Sequence, residues 1–138
     1  MQKFKSKLSA PVPDDWFAKD SYTLLSPDGQ ANIIMSSEPL DPSIDTEAYA
    51  HVQGDLLRKE FPGYREFIFE PTQIFGGRSG WLRRFEWKPP DGEPVVQIQL
   101  YYAENGRGYT ATATTRAIDI KRFELDLRLV LGGLRIEP

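Results

Sequence analysis

Three stretches of two-residue alternation dominate the chain, at residues 81–88, 95–103 and 108–115. That period belongs to strands with two distinct faces, so these read as three consecutive β-strands. Pro89-Pro90-Asp91-Gly92 joins the first pair and Glu104-Asn105-Gly106-Arg107 the second, both of them tight-turn chemistry. In the middle strand Val96, Ile98, Leu100 and Tyr102 share one face, which reads as core. Val95, Gln97, Gln99 and Tyr101 share the other, which is neither fully apolar nor charged. Trp81, Phe85 and Trp87 repeat that mixed character in the strand before. In the strand after, either Tyr109, Ala111 and Ala113 or Thr110, Thr112 and Thr114 do so. Aromatics, amides, hydroxyls and methyls together suit an apolar guest whose few polar groups need partners.

The rest of the chain supplies the frame. Residues 3–8 alternate and predict a first strand, with Lys3, Lys5 and Lys7 on its wet side. Ala10-Pro11-Val12-Pro13-Asp14-Asp15 ends that strand, and Trp16 and Phe17 supply a large apolar anchor. Two short strands follow at 22–26 and 31–37, joined by Ser26-Pro27-Asp28-Gly29. A helix starts after Asp45 and stops at Phe61 before Pro62-Gly63. Its apolar stripe is Tyr49, Val52, Leu56 and Leu57. Gln53 lies on that stripe, either at its edge or facing something that wants an amide. Residues 64–75 carry one or two strands broken near Pro71. A second helix over 119–131 buries Ile120, Phe123, Leu127, Val130 and Leu131, and residues 134–136 could add a last strand. The expected fold is α+β: one domain over 1–138, with a mostly antiparallel sheet of six to eight strands and two helices.

Composition narrows the function. A net charge of −3 argues against nucleic-acid binding, which rests on clustered Lys and Arg. The absence of cysteine excludes disulfides and thiolate metal sites. With one histidine, no calcium-loop spacing and no strained serine elbow, neither a metal nor a catalytic constellation is expected. Gly76-Gly77-Arg78-Ser79-Gly80 looks like a phosphate cradle, but a strand follows it where a cradle needs a helix N-terminus. A non-enzyme without cofactor is the expectation. The N-terminus lacks the apolar run of a secretory signal, and no segment has transmembrane length, which predicts a cytoplasmic protein that does not itself enter a membrane.

Several local signatures in order resemble the DcrB/PsbP-like family, which has the Mog1/PsbP-like fold. They are Val12-Pro13-Asp14-Asp15-Trp16, Asn32-Ile33-Ile34, Tyr49-x-x-x-Gln53, Phe61-Pro62-Gly63-Tyr64, Gln97-Ile98-Gln99-Leu100-Tyr101 and Tyr109-Thr110-Ala111-Thr112-Ala113-Thr114. Within that family the chain is most similar to Eag-type chaperones of type VI secretion. The resemblance implies a cytoplasmic dimer whose curved sheet and helix cradle hydrophobic N-terminal transmembrane helices of an effector before export. It implies client contacts at Gln53 and Gln99, with Tyr22 and Leu24 lining the same groove; Gln97 and Tyr101, which share the mixed strand face with Gln99, are expected to join them. Two other readings remain open: a general protein-interaction domain of the same fold, or a small-ligand binder or unrecognised enzyme with a pocket lined by Trp81, Trp87 and Tyr101.

Overall fold

A computed structural model describes residue 11 and residues 13–16 and 19–136. Along the chain it has strands β1 (Asp20–Leu25) and β2 (Ala31–Pro39), helix α1 (Thr46–Glu60), and strands β3 (Arg65–Ile74), β4 (Arg78–Trp87), β5 (Val95–Glu104) and β6 (Arg107–Arg116). A 3₁₀ turn, Ala117–Asp119, then leads into helix α2, Ile120–Gly132. The six strands form one open antiparallel sheet in the order β1-β2-β6-β5-β4-β3. The fold is therefore α+β, as the alternation predicts. The predicted strand over residues 3–8 lies outside the described residues.

Turn chemistry sets the registers. Asn105 and Gly106 both have positive φ, 51° and 75°, the two-residue hairpin geometry whose twist matches that of the flanking strands. It pairs Glu104 with Arg107 and fixes every cross-strand partner down to Val95 and Arg116. At the β1–β2 turn Asp28 accepts from Ser26 Oγ and Gln30 N, and Gly29 takes the left-handed position. Helix α1 begins at Asp45, whose carboxylate accepts from Ala48 N at 2.8 Å. Phe61 closes the helix, with its N–H on the Leu57 carbonyl.

The helices lie on opposite faces of the sheet. Phe123, Leu127 and Leu131 of α2 bury against Ala31, Ile33, Ile98, Leu100, Ala111 and Ala113, the main core. Tyr49 and Ala50 of α1 bury against Tyr101 on the other face, flanked by Phe69 and Trp81. Each helix covers only part of its face. The α1 helix packs over β5 and β4, whereas α2 packs over β6.

Five expectations need correction. The strand at 64–75 is not broken at Pro71, which pairs with Trp81 inside β3. β3 is an edge strand, so the missing N–H can face outward; the irregularity falls instead between Glu66 and Ile68. Residues 134–136 form no strand, and Leu134 and Ile136 contribute side chains to the core instead. Trp16 is no anchor, being 69% exposed, and Phe17 lies outside the described residues. Val52 and Leu56 are exposed, and α1 buries Tyr49, Ala50, Gly54 and Leu57. Finally, Tyr22 pairs with Met35 and Met35 with Ala111, which places Tyr22 and Leu24 on the α2 face, opposite Gln99.

The phase of α1 has a cause. A Cβ on Gly54 would stand 2.3 Å from Nη2 of Arg83, a residue with no solvent exposure. Only glycine lets the helix backbone rest on that guanidinium. Gly54→Ala is expected to lower stability by about 1–3 kcal/mol through overpacking. Gly132→Ala, with nothing within 4 Å, is expected to be neutral or slightly stabilising. Urea denaturation of both variants checks this, and equal midpoints would refute the assignment.

Candidate functional site

On the α1 face, alternation and register bring together Trp81, Arg83, Phe85 and Trp87 of β4, Gln97, Gln99 and Tyr101 of β5, and Thr110, Thr112 and Thr114 of β6. Ser36 and Ile34 of β2 continue the rows beyond Thr110 and Thr112. The threonine row, not the alanine row, therefore belongs to the mixed face.

Arg83 organises this face. Its Nε donates to Glu66 at 2.9 Å, and its Nη1 donates to the Ala50 carbonyl at 3.1 Å and to the Tyr101 hydroxyl at 2.8 Å. The guanidinium carbon lies 4.1 Å from the centroid of the Phe69 ring, a cation–π stack. The Tyr101 hydroxyl in turn donates to Gln99 Oε1. Gln99 Nε2 donates to Thr112 Oγ1 at 3.2 Å. A hydrogen-bonded chain thus crosses four strands, from Glu66 through Arg83, Tyr101 and Gln99 to Thr112. A parallel rung runs from Trp87 Nε1 to Gln97 Oε1 and from Gln97 Nε2 to Thr114 Oγ1, both at 2.8 Å. Ser36 and Thr110 share a third hydrogen bond at 2.8 Å.

A carboxamide offers two N–H donors and an acceptor with two lone pairs. The rungs engage one donor and one lone pair of each glutamine. Gln97 and Gln99 are half-buried, and one donor and one lone pair of each have no hydrogen-bond partner among the described residues. Asn32 Oδ1, in line with Thr114, is buried with no partner among the described residues.

The flanks of α1 are distinguishable. His51 packs on Phe69 and Trp81, so that flank looks toward β3. Tyr49 reaches the other way: its hydroxyl donates to Glu38 of β2 at 3.3 Å, and its ring fills the space that a side chain on Gly108 would need. Gln53 and Leu56, one and two turns after Tyr49, continue that second flank. Gln53 is half-buried and Leu56 is 45% exposed; Val52 beside them is 51% exposed. The result is a shelf. Its wall is Val52, Gln53 and Leu56, its floor is the amide and hydroxyl rows, and exposed Ile34 and Leu25 lie at its outer side.

Of the six predicted client-binding residues, the structure brings Gln53, Gln97 and Gln99 to this shelf. Tyr101 is fully buried beneath α1 and can act only by holding Gln99. Tyr22 and Leu24 stand on the opposite face. Sequence reasoning missed Arg83, although its place in the row Trp81, Arg83, Phe85, Trp87 was a usable signal. An arginine whose face-mates are all aromatic is positioned for burial and stacking. His51 pairs loosely with Glu47, 3.7 Å away on its own helix, and has no serine contact among the described residues. No cluster of three or more potential metal ligands occurs among the described residues, and no described helix is long and apolar enough to cross a membrane.

No model of a known protein family matches the chain, and no curated protein matches it. Solved structures do share its fold. PA94 of Pseudomonas aeruginosa, a protein of unknown function, superposes with a TM-score of 0.78 at 18% identity, over 92% of this chain and 90% of its own. LpqN of Mycobacterium tuberculosis, involved in cell envelope biogenesis, gives 0.57 at 21% identity, over 93% and 82%. Likeness at these identities extends to the fold.

Burial, only partly offset by Arg83, pushes the Tyr101 phenol up to about 12. Burial first, then Glu38, raises Tyr49; burial first, then Glu66, raises Tyr64. A raised phenol favours the folded state fully below the ordinary value of about 10, and that contribution fades as pH climbs toward the folded value. The protein is therefore expected to lose stability from about pH 10 upward. Tyr101→Phe should flatten part of that decline. Tyrosinate absorbance followed alongside circular dichroism tests this, and full phenol ionisation in the folded protein near pH 10.5 would refute it.

Proposed function

We propose that the chain is a non-catalytic binding protein. On this reading it holds a hydrophobic helical segment of a partner on the shelf between α1 and the β6–β2–β1 half of the sheet. The observation that carries the reading is the composition of that shelf: apolar Val52, Leu56 and Ile34 exposed beside a floor of amides and hydroxyls. A membrane-type helix out of its membrane needs apolar surface to bury against. It also needs donors and acceptors for its small polar residues and for any distorted backbone. The spare capacity of Gln97 and Gln99, with the carboxamide of Gln53, supplies them. The rungs hold both strand amides in place, so little side-chain entropy remains to be lost on binding.

The similarity of local signatures to Eag-type chaperones supports the more specific form of this proposal. In that form the client is the hydrophobic N-terminal segment of an exported effector, met in the cytoplasm by a chaperone dimer. The test is co-expression with a tagged segment of 20 leucines and alanines interrupted by one Gly-x-x-x-Ser. Wild type should keep the segment soluble in a stable complex. Val52→Asp with Leu56→Asp should abolish the complex, and Gln53→Ala should weaken it about tenfold, the value of roughly one amide hydrogen bond in a dry site. A segment that stays insoluble with wild type, or a complex indifferent to the aspartates, would overturn the reading.

A further inference from the structure

The opposite face of the sheet carries its own concave region, where α2 leaves β3 and β4 uncovered. A cleft of about 610 Å³ is lined there by Leu82, Ile98 and Leu100 from the floor, Leu131 from α2, and Ile68 and Thr72 from β3. A smaller lobe of about 410 Å³ is lined by Phe67, Val96 and Ile120 and shares Ile68 and Arg84 with the first. The two lobes make one groove beside α2. The bulge in β3 contributes to it by turning neighbouring Phe67 and Ile68, 47% and 39% exposed, toward the same side.

Charge along the groove is uneven. Arg84, Arg128 and Arg135 line the wide lobe, where Glu70 is the one acidic lining residue. Arg84 and Arg128 share a single carboxylate, Glu124, at 3.3 and 3.1 Å. Arg135 donates to the carbonyls of Gly132 and Leu134 and has no carboxylate partner among the described residues. The wide lobe thus sets three guanidiniums against two carboxylates, while in the narrow lobe Glu86 stands against the shared Arg84 alone. The net positive charge favours an anion in the wide lobe, and the narrow lobe, with one charge of each sign, offers no such preference.

We propose that this groove binds single-chain amphiphiles with an anionic head group, carboxylate or phosphate. The head lies among Arg84, Arg128 and Arg135, and the hydrocarbon runs over Leu82 and Ile68 toward Ile120. Guanidinium forks match the paired oxygens of either head group. The volume falls within the range of about 300–1,000 Å³ usual for small-molecule sites. A bare anion would leave the apolar floor wet, so the chain is part of what is recognised. The site is independent of the α1 shelf, being on the other face.

Calorimetric titration with tetradecanoate, tetradecyl phosphate, tetradecyltrimethylammonium and inorganic phosphate, each below its micelle concentration, tests the proposal. At least one of the two anionic amphiphiles should bind one to one, and their order of affinity tells carboxylate from phosphate recognition. The cationic amphiphile and inorganic phosphate should bind at least about tenfold more weakly, as should either amphiphile to the Arg128→Ala, Arg135→Ala double variant. Both arginines are exposed, so the double variant should keep the wild-type circular dichroism spectrum. Ile68→Asp should weaken binding from the β3 side, and Gln53→Ala should leave it unchanged, so this proposal and the shelf can fail separately. Equal binding of cationic and anionic amphiphiles, unchanged affinity in the double variant, or no saturable binding at all would overturn it.

Discussion

A guanidinium without access to water sits between α1 and the sheet, and the architecture of that layer follows from satisfying it. Leaving an ionised group buried and unpaired costs several kcal/mol, roughly the scale of a domain's whole stability. Arg83 avoids this with a carboxylate from β3, a helix carbonyl from α1, a phenol from β5 and the face of Phe69. Those partners come from three separate elements, so the residue sets where α1 lies as well as tolerating its position. Glu66 in turn collects Tyr64, Arg58 and Arg83, which ties the edge strand to the end of the helix.

The same group reaches the amide row of the shelf through Tyr101. A phenol that accepts from Arg83 has one hydrogen to give, and Gln99 receives it. That fixes which end of the Gln99 carboxamide faces Thr112, and hence which atoms remain for a partner. The surface chemistry of the shelf is thus set from beneath by a charge that no partner can touch. Removing Tyr101 would free the amide to turn, even though the tyrosine itself lies out of reach.

Much of the fold was legible because it rests on local rules. Alternation marked β4, β5 and β6, Asn105-Gly106 fixed the β5–β6 register, and Asp45 with Pro62-Gly63 bounded α1. The phase of α1 was not legible. Hydrophobic spacing favours Val52 and Leu56 as buried positions, but the helix turns Ala50 and Gly54 inward, because a buried arginine needs a carbonyl and a close backbone more than another methyl. Glycine in a helix interior costs about 1 kcal/mol, and that anomaly was the available clue. The candidate site was half legible: the alternation of β5 isolates Gln97 and Gln99 from the core row. Whether Tyr22 shares their face depends on pairing through β2, which alternation within one strand cannot reveal.

The two helices are offset across the sheet, one over β4 and β5 and the other over β6, so each face keeps a bare half on the side away from its helix. A strand's alternation makes those halves chemically different at no structural cost. Arg83 and Arg84 are neighbours in β4, yet one props up α1 from below and the other lines the groove beside α2. The amide-and-hydroxyl shelf suits a segment that needs both apolar burial and hydrogen bonds. The aliphatic groove with its arginine end suits a chain with a single charged terminus. A sheet sandwiched fully between its helices would have neither, so the offset itself leaves this small chain two separate surfaces of different chemistry.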